Sequence, residues 1–443
     1  MNEASPLKVF GYSVPDYVLV AASSWLSRLL TTAISLVSIR ILLDTLGVEH
    51  YAAYAVLMGA VSWFMLADLG SGQSLQNYIS EARATKQDYT QDILATAAIT
   101  LVVVILGVAL VVVFGGWPAI HMLSQFQFLT DKDKYLSFTT VASLVILTAG
   151  GSIIYRIWYA EHKGYMANIA AALAAVIALS GIYYVAKSDV ENKLLWCLIA
   201  ANAPMAVLPV SSLLVRVWST TRVSAESVRE SAKKILHRGS NFWLFNIAAA
   251  AVFQIDYIVL SQFAPADQIV VYNIGAKIFA VMGFMTGAVL QAFWPVCAEA
   301  VVKGDWQRIK SFTIRYLLWS ITGVIVFTTL FSMFSIQIAS IFSSHGLVTI
   351  PTSFIILLGV MYVIRVWTDV FAVILQSMND IKMLLIWAVM QATIGLGFQI
   401  LLVPKYGIYG TVTALCLSWL LTVSWLLPKR VWSHQNKMIA GQA

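Results

Sequence analysis

Six ionisable residues stand in stretches that are otherwise apolar: Arg28, Asp68, Asp256, Lys277, Arg365 and Asp369. A charge inside hydrocarbon costs about 2.5–3.5 kcal/mol on insertion scales, so such a group faces a cavity, a partner or a ligand. Arg28 lies within a polar stripe of Ser24, Arg28, Thr31, Ser35 and Ser38, whose three- and four-residue spacing puts them on one helical face. An arginine so placed can grip an anion with two parallel hydrogen bonds, where a lysine offers a point charge. Asp68 approaches Arg28 if the first two helices form a hairpin, either as a structural ion pair or as part of a transport site. Asp256 lies seven residues before Phe263 and Lys277 eight after Ile269. Both depths come to roughly 10–12 Å, so the two groups are expected to meet. Asp256 without that cation would instead exchange a proton. Arg365, Asp369 and Gln376 share a helical face at steps of four and seven. The first two form a self-neutralising i,i+4 pair or contact a substrate.

The stretches that carry these residues make up most of the chain. Of 443 residues, 60% are hydrophobic and 11% charged, more apolar surface than a soluble protein of this length can bury. Apolar runs of about 20 residues recur throughout, each long enough to cross hydrocarbon as a helix. The expected fold is all-α and polytopic. Twelve spans are expected at about 17–42, 51–73, 93–116, 135–159, 165–186, 194–218, 241–262, 270–296, 311–333, 350–377, 383–402 and 407–428. Six precede a basic connector, 219–240, that holds Arg222, Arg229, Lys233, Lys234 and Arg238, and six follow it. The expected organisation is a lobe over 1–218, a linker over 219–240, and a second lobe with a tail over 241–443.

Lysine and arginine orient this arrangement. With the N-terminus inside, eighteen of the 28 fall on the cytoplasmic side, five outside and five within spans. Both termini are therefore expected in the cytoplasm. Two of the in-span cations read as anchors: Arg40 snorkels to the outer headgroups, and Arg156 sits beside Trp158 and Tyr159 at a membrane interface. Cys197, Cys297 and Cys416 lie in or beside apolar runs and suggest neither disulfides nor a metal site. No cofactor is expected.

A segment near the start recurs. With a shift of 218, Leu42 falls on Leu260, Glu49 on Asp267, Tyr54 on Tyr272, Gln73 on Gln291 and Glu81-Ala82 on Glu299-Ala300. Such register implies two homologous halves.

The same segment carries a resemblance. Arg40-Ile41-Leu42-Leu43-Asp44-Thr45-Leu46-Gly47 followed by Tyr51 to Tyr54, then Ala67-Asp68-Leu69-Gly70, resembles bacterial polysaccharide flippases of the O-antigen (Wzx-like) type. Gln254-Ile255-Asp256-Tyr257 and Val271-Tyr272-Asn273 fit the pattern, whereas Ala52 or Ala53 stands where many members have glycine. The family belongs to the multidrug/oligosaccharidyl-lipid/polysaccharide exporter superfamily. The resemblance implies a MATE-like, V-shaped inverting transporter of two six-helix lobes in the bacterial inner membrane. Its substrate would be an undecaprenyl-pyrophosphate-linked oligosaccharide, moved from the cytoplasmic to the periplasmic leaflet. On that reading Arg28, Lys277, Arg365 and Asp68 bind substrate. Asp256 and Asp369 couple transport to H+ or Na+, and other O-antigen assembly proteins are further partners.

Two other classes compete. A drug exporter of the same superfamily would favour an acidic cavity, but in-span basic residues outnumber the three acidic ones, Asp68, Asp256 and Asp369. A membrane enzyme such as an O-antigen polymerase or ligase would need a large outer loop with reactive groups. This chain offers only His121 and His345 in short outer loops, with no phosphate-binding glycine loop and no nucleophile beside a base.

Overall fold

The computed structural model describes residues 8–9, 12–13, 16–220, 224–342, 349–378 and 380–441. Arg222 and His345 lie outside them. A two-residue antiparallel pair, β1 (Lys8–Val9) with β2 (Tyr12–Ser13), precedes the helices. The chain then runs through α1 (Asp16–Gly59), α2 (Val61–Phe64), a 3-10 turn (Met65–Asp68), α3 (Ser71–Ala84), α4 (Thr90–Phe114) and α5 (Gly116–Met122). Next come α6 (Asp131–Gly151), α7 (Ile153–Ala160), α8 (Gly164–Lys187), α9 (Lys193–Trp218) and α10 (Ala225–Phe263). The rest is α11 (Ala266–Val302), α12 (Trp306–Met333), α13 (Ser335–Phe342), α14 (Thr352–Ser377), α15 (Ile381–Leu421) and α16 (Val423–Gly441).

Apolar chain in a bilayer has no water to satisfy its backbone, so helices that bond internally are the solution such sequences adopt. Among the described residues, nine segments are long and apolar enough to cross a membrane. Two of them, Ala22–Asp68 and Lys382–Asn436, are broken inside by Gly47 (φ 72°) and Gly407 (φ 56°). Burial sorts the helices by role. In α4 only 6% of the apolar window is buried, and Leu101, Ile105, Val113 and Phe114 are exposed. In the segment Asp131–Ala160 the share is 67%, so α6 and α7 form core.

The chain divides into two compact units, Met1–Ile247 and Ala248–Ala443. In the first, α6 packs on α9, and α8 packs on both α1 and α9. In the second, α14 is central and packs on α11, α12, α15 and α16. The boundary falls inside α10, so the connector expected over 219–240 belongs to the first unit. It is also helical from Ala225, not a loop. The local reason is charge spacing: Glu226 with Arg229, and Glu230 with Lys233 and Lys234, stand three or four residues apart on a helix surface.

This early part of α10 is clasped to α3. Arg238 makes two hydrogen bonds to Glu81, of 2.8 and 3.2 Å, and its guanidinium stands 5.0 Å from the Tyr78 ring. The Trp243 indole donates to the Leu66 carbonyl at 2.9 Å. Ile235 joins Leu75, Ile79, Ile153 and Ile157 in one buried cluster. Between these contacts the Gly239 and Gly70 backbones touch, and a Cβ on Gly70 would run into the Gly239 carbonyl and stand 2.9 Å from the Trp243 nitrogen.

Candidate functional site

The residues singled out by charge fall in both units, Arg28 and Asp68 in the first and Asp256, Lys277, Arg365 and Asp369 in the second.

In the first unit α1 docks on α8 through a polar seam the sequence did not reveal. Ser27 donates to the Asn168 carbonyl at 2.8 Å, the Asn168 amide donates to Ser23 at 3.0 Å, and Tyr159 donates to Asn168 at 2.9 Å. Arg28 follows Ser27 and is turned about 100° from it around the helix. That leaves its side chain exposed, off the face that packs.

Asp68 stands where the second span breaks. The 3-10 turn ends there, and Leu69 (φ 51°) and Gly70 (φ 68°) follow in the left-handed region. Left-handed backbone is natural for glycine and uncommon for leucine. The Asp68 carboxylate holds the turn by accepting the Gly70 N–H at 2.9 Å, and Ser71 donates its hydroxyl to the Asp68 carbonyl at 2.6 Å. The charge of Arg156 on α7 reaches Asp68. Arg156 also reaches Gln76 at 3.5 Å.

In the second unit Asp256 is buried, with 6% exposure. One carboxylate oxygen accepts the Tyr272 hydroxyl, and the other accepts the Tyr257 N–H at 3.0 Å. One residue along, Tyr257 takes a 2.8 Å hydrogen bond from the Asn273 amide, and the Tyr257 and Tyr272 rings meet edge to face at 5.5 Å. Two adjacent polar residues on α10 therefore lock onto two on α11. The sequence offered a signal for this in the polar pairs Asp256-Tyr257 and Tyr272-Asn273, which flank the turn between the two helices.

The expected meeting of Asp256 with Lys277 does not occur in this arrangement. α11 starts at Ala266, three residues before the Ile269 from which depth was reckoned. Lys277 therefore lies five residues, about 7.5 Å, past the Tyr272 level and on another face. It shares a stripe with Asn273 instead. Lys277 makes no hydrogen bond or ion pair among the described residues, leaving a cation on an apolar helix without a counter-charge.

On α14 the four-residue spacing gives the expected pair, with Arg365 3.5 Å from Asp369. The Arg365 guanidinium also lies 5.6 Å from the Tyr362 ring. Tyr362 packs against Phe279 of α11 at 5.2 Å and closes over Gly283, which has no side chain to block it. Tyr316 of α12 is buried close enough to feel the charge of Asp369. The unit thus holds an acid bonded to a tyrosine, a lone lysine, and an internally neutralised pair leaning on a tyrosine. Such a set can bind an anion and exchange partners. Among the described residues no group of three or more His, Cys, Asp or Glu could hold a metal ion.

No family model matches the chain. A curated protein of Yersinia pseudotuberculosis named for O-antigen export is 34% identical over 420 residues, covering 94% of this chain and 95% of that one. A Salmonella typhi protein named as an O-antigen transporter is 36% identical over 433 residues, covering 96% and 98%. Among solved structures, an inward-facing multidrug resistance transporter of the MATE family superposes with a TM-score of 0.73 at 14% identity, covering 92% of this chain and 96% of that one. The lipid II flippase MurJ, in an inward closed conformation, superposes with a TM-score of 0.65 at 14% identity, covering 93% and 86%. Both are transporters, and at that identity the likeness is one of fold.

Proposed function

We propose that this chain, which belongs to the family of O-antigen transporters, flips a lipid-linked O-antigen repeat unit across the bacterial inner membrane. The cargo is an undecaprenyl-pyrophosphate-linked oligosaccharide, taken from the cytoplasmic leaflet and released in the periplasmic one. The chain crosses the membrane twelve times. The two broken segments give two crossings each, and the later part of α10 adds one to the nine segments. Both termini are cytoplasmic, and the two six-helix lobes alternate access, coupled to H+ or Na+ and working with other O-antigen assembly proteins.

The observation that carries this reading is Lys277, a cation held in an apolar helix with nothing of opposite charge bound to it among the described residues. A pyrophosphate that leaves the headgroups loses hydration worth many kcal/mol. Lys277 and Arg28 supply compensating charge, and Arg365 supplies it when it parts from Asp369. Asp68 shapes the first-unit side of the path. Asp256 and Asp369 alternate partners as the coupling ion enters and leaves.

The test is O-antigen display on cells that carry variants at matched membrane abundance. Arg28→Ala is expected to abolish display and Arg28→Lys to restore part of it, while Lys277→Arg is tolerated better than Lys277→Ala. Normal display from the Arg28→Ala, Lys277→Ala double variant would remove both cations from the transport path.

A further inference from the structure

Between α12, α14 and α16 lies a slot of about 310 Å³. Its walls are apolar and include Ile309, Phe371, Ile374 and Val431, all buried. Polar groups interrupt them; the Thr313 hydroxyl donates to the Ile309 carbonyl and the Trp367 indole to the Ser424 carbonyl, which leaves three others. Lys310 and Gln435 line the slot, and so does Trp306, which is 9% exposed and whose indole N–H has no acceptor among the described residues. A buried indole N–H normally finds a partner, and one left unmade is costly. Trp306 and Lys310 are four residues apart, so they stand on one face of α12. Trp432, 56% exposed, also lines the slot and supplies an amphipathic ring of the kind found at headgroup level.

The geometry points to a binding site for an anionic phospholipid, with one acyl chain between the helices and the phosphate received by Lys310, the Trp306 indole and the Gln435 amide. The donors ask for an anion, since none of the three as placed brings a negative charge. The apolar walls ask for a hydrocarbon chain. A single lysine suits one phosphate, and the rim has no polar surface broad enough for a row of sugars. On the orientation proposed above, the slot opens at the cytoplasmic leaflet, where anionic lipids meet basic pockets between helices. Asp256, Lys277 and Arg28 do not line the slot, and the site stands whatever the transported cargo is.

Native mass spectrometry of the full-length protein in detergent tests this with phosphatidylglycerol, phosphatidylcholine and undecaprenyl phosphate added separately. Phosphatidylglycerol is expected to bind more tightly than phosphatidylcholine. Lys310→Gln is expected to weaken it roughly fivefold, the effect of the ~1 kcal/mol that one basic side chain contributes at an anionic surface. Trp306→Phe keeps the ring, loses the N–H and is expected to weaken it as well. Lys310 is exposed, so its replacement leaves folding intact even if Trp306→Phe does not. Equal binding of the two phospholipids, or no change with Lys310→Gln, overturns the site. Tighter binding of undecaprenyl phosphate overturns the choice of occupant and gives the slot to the cargo lipid.

Discussion

Asp256 and Tyr272 show what single residues in this membrane protein depend on. The carboxylate is buried and is held by one hydroxyl and one backbone N–H. Tyr272→Phe removes the hydroxyl and little else. Leaving a buried acceptor short of a donor costs about 1–3 kcal/mol, so the thermal unfolding midpoint in detergent should fall. An unchanged midpoint would show that Asp256 finds another donor. Asp256→Asn keeps the shape and loses the charge, and it should slow flipping at normal membrane abundance. Full flipping across a range of pH and membrane potential would exclude the carboxylate from coupling. At this scale the sequence spoke unevenly. Arg365 and Asp369 were readable because one helix sets their spacing. Asp256 and Lys277 were not, because their meeting depends on where α11 begins, and a three-residue difference there moves Lys277 to another level and face.

Elements meet at the α3–α10 clasp and where Asp380, at the start of α15, meets α16. Gly70→Ala would place a Cβ against the Gly239 carbonyl with φ at 68°. The backbone strain alone is about 1–2 kcal/mol, so the variant should unfold at lower temperature than Ala substitutions elsewhere on α3. Two acids give the clasp and the tail a pH dependence. Arg238 holds the Glu81 carboxyl below the usual range through its hydrogen bonds. For Asp380, burial opposes the charge, but hydrogen bonds from Arg430 at 2.6 Å and His434 at 2.9 Å outweigh it and hold that carboxyl low too. A folded pKa below the unfolded one means stability that is present above the unfolded value and lost as pH falls through the folded value. The Asp380 contact should matter more, since its side chain is 11% exposed against 58% for Glu81, and exposed pairs contribute only about 0.2–1 kcal/mol. The difference in unfolding midpoint between the native chain and Asp380→Asn should be full at neutral pH and close in acid. A gap that persists in acid would assign it to packing.

For the whole molecule, composition and run length were enough to read an all-helical membrane protein. Backbone satisfaction leaves such a sequence few alternatives. The expected linker over 219–240 is helical from Ala225 as the first part of α10, because its charges are spaced to decorate a helix surface, a pattern that its polarity alone does not reveal. Orientation remains a matter of charge bias, and it has a direct test. In a background lacking Cys197, Cys297 and Cys416, a Ser224→Cys variant should resist a membrane-impermeant thiol reagent in intact cells and react once the membrane is opened. Reaction in intact cells would invert the topology.

The break at Asp68, Leu69 and Gly70 has a consequence for how the two halves came to differ. Under the shift of 218 these residues fall on Thr286, Gly287 and Ala288, inside α11, which runs unbroken from Ala266 to Val302. Glycine alone therefore does not make the joint, since Gly287 stays helical. The Asp68 carboxylate bridges to Gly70, whereas the Thr286 hydroxyl turns back to its own helix at Met282. If the halves descend from one duplicated gene, their interchangeability ended with the residue at this position. One copy carries a joint held by hydrogen bonds and the other an unbroken rod. The rod then serves as a natural control for the joint within the same molecule, and Asp68→Thr asks how far one side chain separates the two.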